Sequence, residues 1–297
     1  MQDKIITIYY FLDELLTALG HRDHARTELS TAEIMTVALV AAEFFTGNQS
    51  RALLFLIEHG YIKSFSKSRF NRRLHAIEDS PWQSVLAVLR QVHQQANADD
   101  VFVVDTCPIP VCHNIRIRRC RLYRGKQWWG YCASKKQYFF GLKLCLVVTE
   151  SGKPIEACLA VGSRADICLL RRMELDLPEG STLFADSGFL DAALEESLQE
   201  ECGIALVAGR RKNSKMPLPG WLEYLRVQYR AQVETSYSQI SARLARSIRA
   251  VTPRGIELKV FLTVLAFSML GYQLGLIIRN LPPYLSGRGS HAVVQVN

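Results

Sequence analysis

From the N-terminus to about residue 98 the apolar side chains recur every three or four positions with few β-type runs, a pattern that predicts an all-helical region. Ser30 followed by Glu33 has the spacing of a capping box, and Ile34, Val37, Ala38, Ala41, Phe44 and Phe45 then trace one apolar face that ends at Gly47 and Asn48. A further helix is predicted from Ser68, with Phe70, Leu74 and Ile77 turned inward and Arg69, Arg72 and Arg73 on its polar face. Those arginines suit a helix that touches DNA, or equally a solvated surface. Asp79, Ser80 and Pro81 read as a break before a helix from Pro81 to Asn97.

The pattern then changes. Val101 to Val104 is a short, wholly apolar run that reads as a buried strand, and Asp105 stands at its end. Apolar runs from Phe139 to Val148 and from Ile155 to Val161 flank a hairpin turn, Glu150-Ser151-Gly152-Lys153. Beyond them a helix near Asp166 to Glu174, a strand Thr182 to Ala185 ending at Asp186, a helix Leu190 to Cys202 and a strand Ile204 to Ala208 alternate. Such alternation implies parallel strands with helical crossovers. A loop bearing Gly209, Pro217, Pro219 and Gly220 leads into a long helix from about Trp221 to Arg249. The fold class is α/β in the order βββαβαβα after an all-helical N-terminal domain. The expected boundaries are a helical region 1–98, a strand-bearing domain 99–280 with a basic insertion 107–137, and a C-terminal tail 281–297 that is polar and poorly ordered from about Gly287.

Composition narrows the class. With 36 basic against 28 acidic residues and a net charge of +8, the chain favours a polyanionic partner such as nucleic acid. The opening MQDKIITIYYFLDELL carries an acidic pair and no small-residue cleavage site, which argues against a secretory leader and for the cytoplasm. Val260 to Ile278 is the longest uncharged stretch, but Thr263, Ser268, Gln273 and two glycines dilute it, and a buried core helix accounts for it better than a membrane span. Of 8 cysteines, Cys107, Cys112, Cys120 and Cys132 lie close together with His113, but no paired CxxC knuckle is present and zinc is disfavoured.

The chemistry rests on acidic residues. Asp105 and Asp186 each follow an apolar strand, and strand ends are where open α/β sheets carry their sites. On the long helix Val233, Tyr237, Ile240, Leu244 and Ile248 form the inward stripe, and Glu234 stands about 100° from Val233 at its margin. Clustered carboxylates repel, and divalent cations remove that penalty. Two magnesium ions held by Asp105, Asp186 and Glu234 could activate a water or a DNA 3′-hydroxyl for in-line attack on a phosphodiester. Taken singly each residue also has a structural explanation: turn formation for the aspartates, an (i, i+4) pair with Arg230 for Glu234.

The segments VVDTCPIPVCHNIRIRR, GLKLCLVVTESGKPIE, LFADSGFLD and YRAQVETSYSQI resemble the DDE transposases of bacterial insertion sequences, and most of all the insertion sequence 982 family. The resemblance spans roughly residues 5 to 280. It implies a ribonuclease H-like catalytic core, a helical region that recognises transposon ends, and magnesium-dependent cleavage and strand transfer, with manganese as a substitute and no organic cofactor. It also implies double-stranded DNA as partner, both terminal inverted repeats and target, no membrane, and a homodimer on paired ends. Arg230 keeps the arginine four residues before the glutamate, whereas Cys145 stands where similar sequences carry His, and Ser241 where they carry a basic residue. A non-catalytic DNA-binding regulator or a decayed transposase is the alternative.

Between the first two long strands, HNIRIRRCRLYRGKQWWGYCASKK is the densest basic stretch. Arg116, Arg118, Arg119, Arg121, Arg124, Lys126, Lys135 and Lys136 beside Tyr123, Trp128, Trp129 and Tyr131 suit phosphate contact with base stacking. Lys143 on the second long strand, and Arg210, Arg211, Lys212 and Lys215 on the loop before the last helix, extend the candidate DNA contacts. His113 and Arg116 also form an HxxR pair of the kind found in tyrosine recombinases, but that chemistry has no use for strand-end carboxylates.

Overall fold

A computed structural model of the chain describes residues 1–133, 136–211, 213–214, 216–244 and 250–269. The chain divides into two compact units within the helix that precedes the sheet. One comprises Met1–Leu89 with 240–244, 250 and 254–269, the other Arg90–Gln239 with 251–253.

The first unit is helical: α1 (Gln2–Ala18), α2 (Thr31–Phe44), α3 (Gln49–Glu58), α4 (Lys67–Ala76), the start of α5 (Asp79–Gln95), and most of α9 (Pro253–Ser268). The capping box forms as the spacing predicts, with the Glu33 amide donating to Ser30 Oγ at 3.1 Å and the Ser30 amide to the Glu33 carboxylate. Every residue from Ile34 to Ala42 is buried, so α2 is the unit's central helix rather than a one-sided surface helix. The cap of α4 is Ser66, two residues before the expected start, its hydroxyl accepting the Arg69 amide at 3.3 Å. Asp79, Ser80 and Pro81 do not break the chain. They form the first turn of α5, where backbone amides lack helical partners anyway and proline is tolerated. Helix α9 is buried nearly throughout, and among the described residues no helix is long and apolar enough to cross a membrane. Residues 270–278 of the uncharged stretch, Ile248 and the tail lie outside the described residues.

The second unit is a six-stranded mixed sheet with helices: β1 (Val101–Pro110), β2 (Trp129–Cys132), β3 (Gln137–Thr149), β4 (Pro154–Val161), α6 (Asp166–Leu170), β5 (Thr182–Ala185), α7 (Ala192–Cys202), β6 (Ala205–Ala208) and α8 (Gly220–Arg243). The order is β2-β3-β1-β5-β6, with β4 also paired to β3. Strand β3 runs antiparallel to β1, β2 and β4, whereas β1, β5 and β6 are parallel. Strand β1 outruns its apolar stretch because Thr106 to Pro110 continue the ladder with Cys145 to Gly141. The hairpin turn closes with the Thr149 amide on the Lys153 carbonyl at 2.9 Å and Gly152 at φ 77°, a conformation glycine adopts at no steric cost. Phe102, Val104, Cys145, Val147, Ile155, Leu169, Leu183, Phe189 and Leu206 are among the buried residues of the core cluster of this unit.

Helix α8 buries Val233, Ser236 and Tyr237. The Tyr237 hydroxyl accepts the Leu146 amide at 3.1 Å and donates to the Asp105 carbonyl, with the Leu144 carbonyl 3.3 Å away. Ser236 Oγ donates to the Gly152 carbonyl at 2.7 Å. Polar contacts to β1, β3 and the hairpin turn thus set the rotation of α8 where Glu234 leaves it.

Candidate active site

Parallel pairing aligns Val104 with Ala185, so Asp105 and Asp186 follow side by side where the β1–β5 pairing stops: Asp186 at the end of β5, but Asp105 in the middle of β1 rather than at the strand end that the sequence predicts, because β1 stays paired with β3 as far as Pro110. Each carboxylate folds back on its own backbone in the same way: Asp105 Oδ1 accepts the Thr106 amide and Asp186 Oδ1 the Ser187 amide, both at 2.7 Å. The two aspartates line one crevice with Val103, Phe184, Arg226 and Arg230. Burial pushes the Asp105 carboxyl up to about 6. The Thr106 amide and Arg230 oppose the shift, and Asp186 and Asp166 add repulsion.

Glu234 is brought to the site through an arginine. Arg230 Nη1 lies 3.2 Å from Asp186 Oδ1, and its Nε lies 3.4 Å from Glu234 Oε1 without hydrogen-bond alignment. Glu234 itself is 63% exposed and is not one of the crevice residues. Among the described residues, no three or more His, Cys, Asp or Glu are gathered in a way that could hold a metal ion. The aspartates are therefore brought together, while Glu234 stands beside them as the partner of Arg230. Arg226, one turn earlier on α8, is buried and grips Glu223 with two bonds of 2.8 and 2.6 Å.

Asp166 belongs to this neighbourhood and sequence reasoning passed over it. Its Oδ1 accepts from Thr106 Oγ1 at 2.9 Å and from Lys143 Nζ at 2.8 Å. A Cβ placed on Gly188 would come within 2.8 Å of its Oδ2, so Gly188 lets the turn after Asp186 close over it. One carboxylate thus ties the residue after Asp105 to β3 and packs against the turn after Asp186. The available signal was the glycine of LFADSGFLD, which marks a close approach; the partners lie too far along the chain for spacing to reveal them.

The candidate DNA contacts fall into two groups. Lys143 is half-buried and paired with Asp166 at 2.8 Å, Arg210 is forked onto Glu195 at 2.5 and 2.8 Å, Arg69 is paired with Glu28 at 2.7 Å, and Arg73 bonds the Leu29 carbonyl and Asp23. Arg116, Arg118 and Arg119 on the 3-10 turn Asn114–Arg119, and Arg72, Arg121, Arg124, Lys126, Lys136 and Arg211, are exposed. Lys135, Lys212 and Lys215 lie outside the described residues. Tyr123 and Trp128 pack on each other at 4.1 Å, Tyr123 being buried, while Trp129 and Tyr131 face solvent. The Cys112 thiol lies against Cys120 and is pushed up to about 11, chiefly by burial. Cys145 is wholly buried within the sheet, opposite Thr106 and Cys158, and Ser241 is exposed.

The chain is thus a mixed α/β protein with two adjoining carboxylates where a parallel strand pairing stops and a helix-borne glutamate beside them. A family model described as the transposase DDE domain matches residues 95–246, half of the chain, and the chain belongs to that family. The match runs from the end of α5 past α8 and includes Asp105, Asp166, Asp186 and Glu234. No curated protein and no solved structure is matched.

Proposed function

We propose that the chain is the transposase of an insertion sequence of the 982 type, cleaving DNA at the element's ends and joining the freed 3′-hydroxyls to target DNA. The observation that carries this reading is the placement of Asp105 and Asp186 side by side where the β1–β5 pairing stops, in one crevice inside the matched family segment. The sheet order β4-β3-β1-β5-β6, with β3 running against its neighbours, supports a ribonuclease H-like core.

The donor chemistry fits a hard divalent cation. Asp105 and Asp186 present carboxylate oxygens, and the raised Asp105 carboxyl marks a buried acid whose charge is under-compensated. Magnesium, or manganese in its place, would be held by Asp105 and Asp186, with Glu234 as third ligand once Arg230 releases it. When bound, the metal supplies Lewis acidity to the phosphodiester and lowers the pKa of the attacking oxygen. Above about pH 6 Asp105 is ionised and able to serve as a ligand. Arg230, with a planar fork suited to phosphate, passes from the carboxylates to the DNA backbone. The exposed arginines 116, 118 and 119 take up flanking phosphates, residues 1–98 recognise the ends, and a homodimer pairs them.

Asp186→Ala and Asp105→Asn are each expected to abolish magnesium-dependent cleavage of DNA carrying the element's terminal repeats while binding in a gel-shift assay persists. Wild-type protein that binds such ends but never cuts them would replace this reading with that of a non-catalytic binder.

A further inference from the structure

Strand β2 lies at the rim of the sheet, and its register with β3 pairs Trp129 with Phe140 and Tyr131 with Tyr138. Alternation along a strand puts these four rings on one face. Phe140 is buried, whereas Trp129, Tyr131 and Tyr138 are 41%, 51% and 61% exposed. The Tyr131 and Tyr138 rings contact each other with centroids 4.9 Å apart. Beneath them the ribbon is locked: a Cβ on Gly130 would lie 2.2 Å from the Phe139 ring and 2.5 Å from the Gly162 carbonyl. The rings therefore stand on a fixed backbone, and exposing them serves no evident packing purpose.

Charge says what they face. From Thr106 to Thr149 the chain contains no acidic residue. Asn114 Nδ2 donates to the Tyr138 carbonyl at 3.0 Å, which pins the start of the Asn114–Arg119 turn to this ribbon and brings exposed Arg116, Arg118 and Arg119 with it. An exposed aromatic pair beside exposed arginines matches a polyanion that offers flat π-faces. Paired DNA hides those faces inside its stack; an unpaired nucleotide presents them.

We propose that Tyr131 and Tyr138 form a stacking site for an unpaired nucleotide of the bound DNA, its phosphates taken by the arginines of the 114–119 turn. The proposal rests on the transposase reading and deepens it: Tyr138 stands roughly 25 Å along β3 from Leu146, the register partner of Asp105, so the stacking site is separate from the crevice that holds the carboxylates.

The test uses the full chain and two duplexes of the same sequence, one fully paired and one with a bulged 2-aminopurine at its centre. Wild-type protein is expected to bind the bulged duplex about tenfold more tightly and to quench its fluorescence. The double variant Tyr131→Ala, Tyr138→Ala should lose both effects yet keep its affinity for paired DNA and its melting temperature, and the double phenylalanine variant should retain both. Equal affinity of wild type for the two duplexes overturns the proposal. So does a double alanine variant whose only change is a lost oligomer in light scattering, which would mark the rim as a contact between copies. Neither result touches the transposase reading, which stands or falls on the Asp186→Ala cleavage assay.

Discussion

At the scale of residues, Asp166 carries the most consequence for the site. It accepts hydrogen bonds from Thr106 and Lys143 and packs against the turn after Asp186, so it holds the residues that follow both crevice carboxylates without lining the crevice itself. Asp166→Asn keeps the shape and one acceptor oxygen but loses the charge that faces Lys143. The protein is expected to fold, with single-turnover cleavage slowed about tenfold or more, as for other residues that orient ligands. Asp166→Ala leaves Lys143 with only the Arg164 carbonyl and should also destabilise by roughly 1–2 kcal/mol, read from denaturant midpoints. Wild-type cleavage by Asp166→Asn would reduce the residue to a structural role. Its partners lie 60 and 23 positions away, which is why spacing and periodicity show Asp105 and Asp186 but not the residue between them.

A second residue gives a pH dependence. Glu156 sits 2.8 Å from Arg90 in a nearly dry setting. Burial pushes its carboxyl up to about 7 despite that guanidinium, with Asp176 and Glu174 adding repulsion. The folded chain thus keeps a proton that the unfolded chain releases near 4.5. Between those values the unfolded state binds fewer protons, so stability falls as pH rises, and the loss is complete above the folded value. Glu156→Gln cannot titrate. The stability of wild type relative to this variant should decline by on the order of 3 kcal/mol from pH 4.5 to 8, read by urea unfolding. A flat difference would mean that the ion pair stays charged throughout.

At the scale of elements, α8 is held by hydrogen bonds as much as by apolar contact. Tyr237→Phe leaves the buried Leu146 amide without this partner and frees the part-buried Asp105 carbonyl. A loss of about 1–3 kcal/mol is expected in thermal melts, with cleavage impaired more than DNA binding because the affected strand carries Asp105. An undiminished melting temperature would show that water replaces the hydroxyl. The inward stripe of α8 was readable from sequence because Val233, Tyr237 and Ile240 obey helical spacing, and β5 was readable because its apolar run ends at an aspartate. Strand β2 was not. Its WGYC segment has too few residues for a period, and it exists because Gly130 allows close docking on Phe139, a fact of tertiary approach. The break expected at Asp79 to Pro81 lies earlier, at Ile77 and Glu78, because a first helical turn accommodates a proline whose missing amide has nothing to bond there.

At the scale of the molecule, the two units offer a built-in control for metal binding. Asp105, Asp186 and Glu234 all belong to the second unit, while α1 to α4 belong wholly to the first. Magnesium that binds only the folded site adds RT ln(1 + [L]/Kd) of stability, about 2.7 kcal/mol at a hundred times Kd. Such a gain should raise hydrogen-exchange protection in β1, β5 and the adjoining part of α8, where opening breaks the site, and leave α1 to α4 unchanged. Metal also competes with the proton on Asp105, so the effect should weaken as pH falls through about 6. Asp105→Asn and Asp186→Asn should each abolish the added protection at every pH, whereas Arg230→Ala should keep it, because its guanidinium competes with the metal for Asp186 and Glu234. Protection that rises equally in α1 to α4, or survives both asparagine variants, would place the ion elsewhere and remove Asp105 and Asp186 from the role assigned to them.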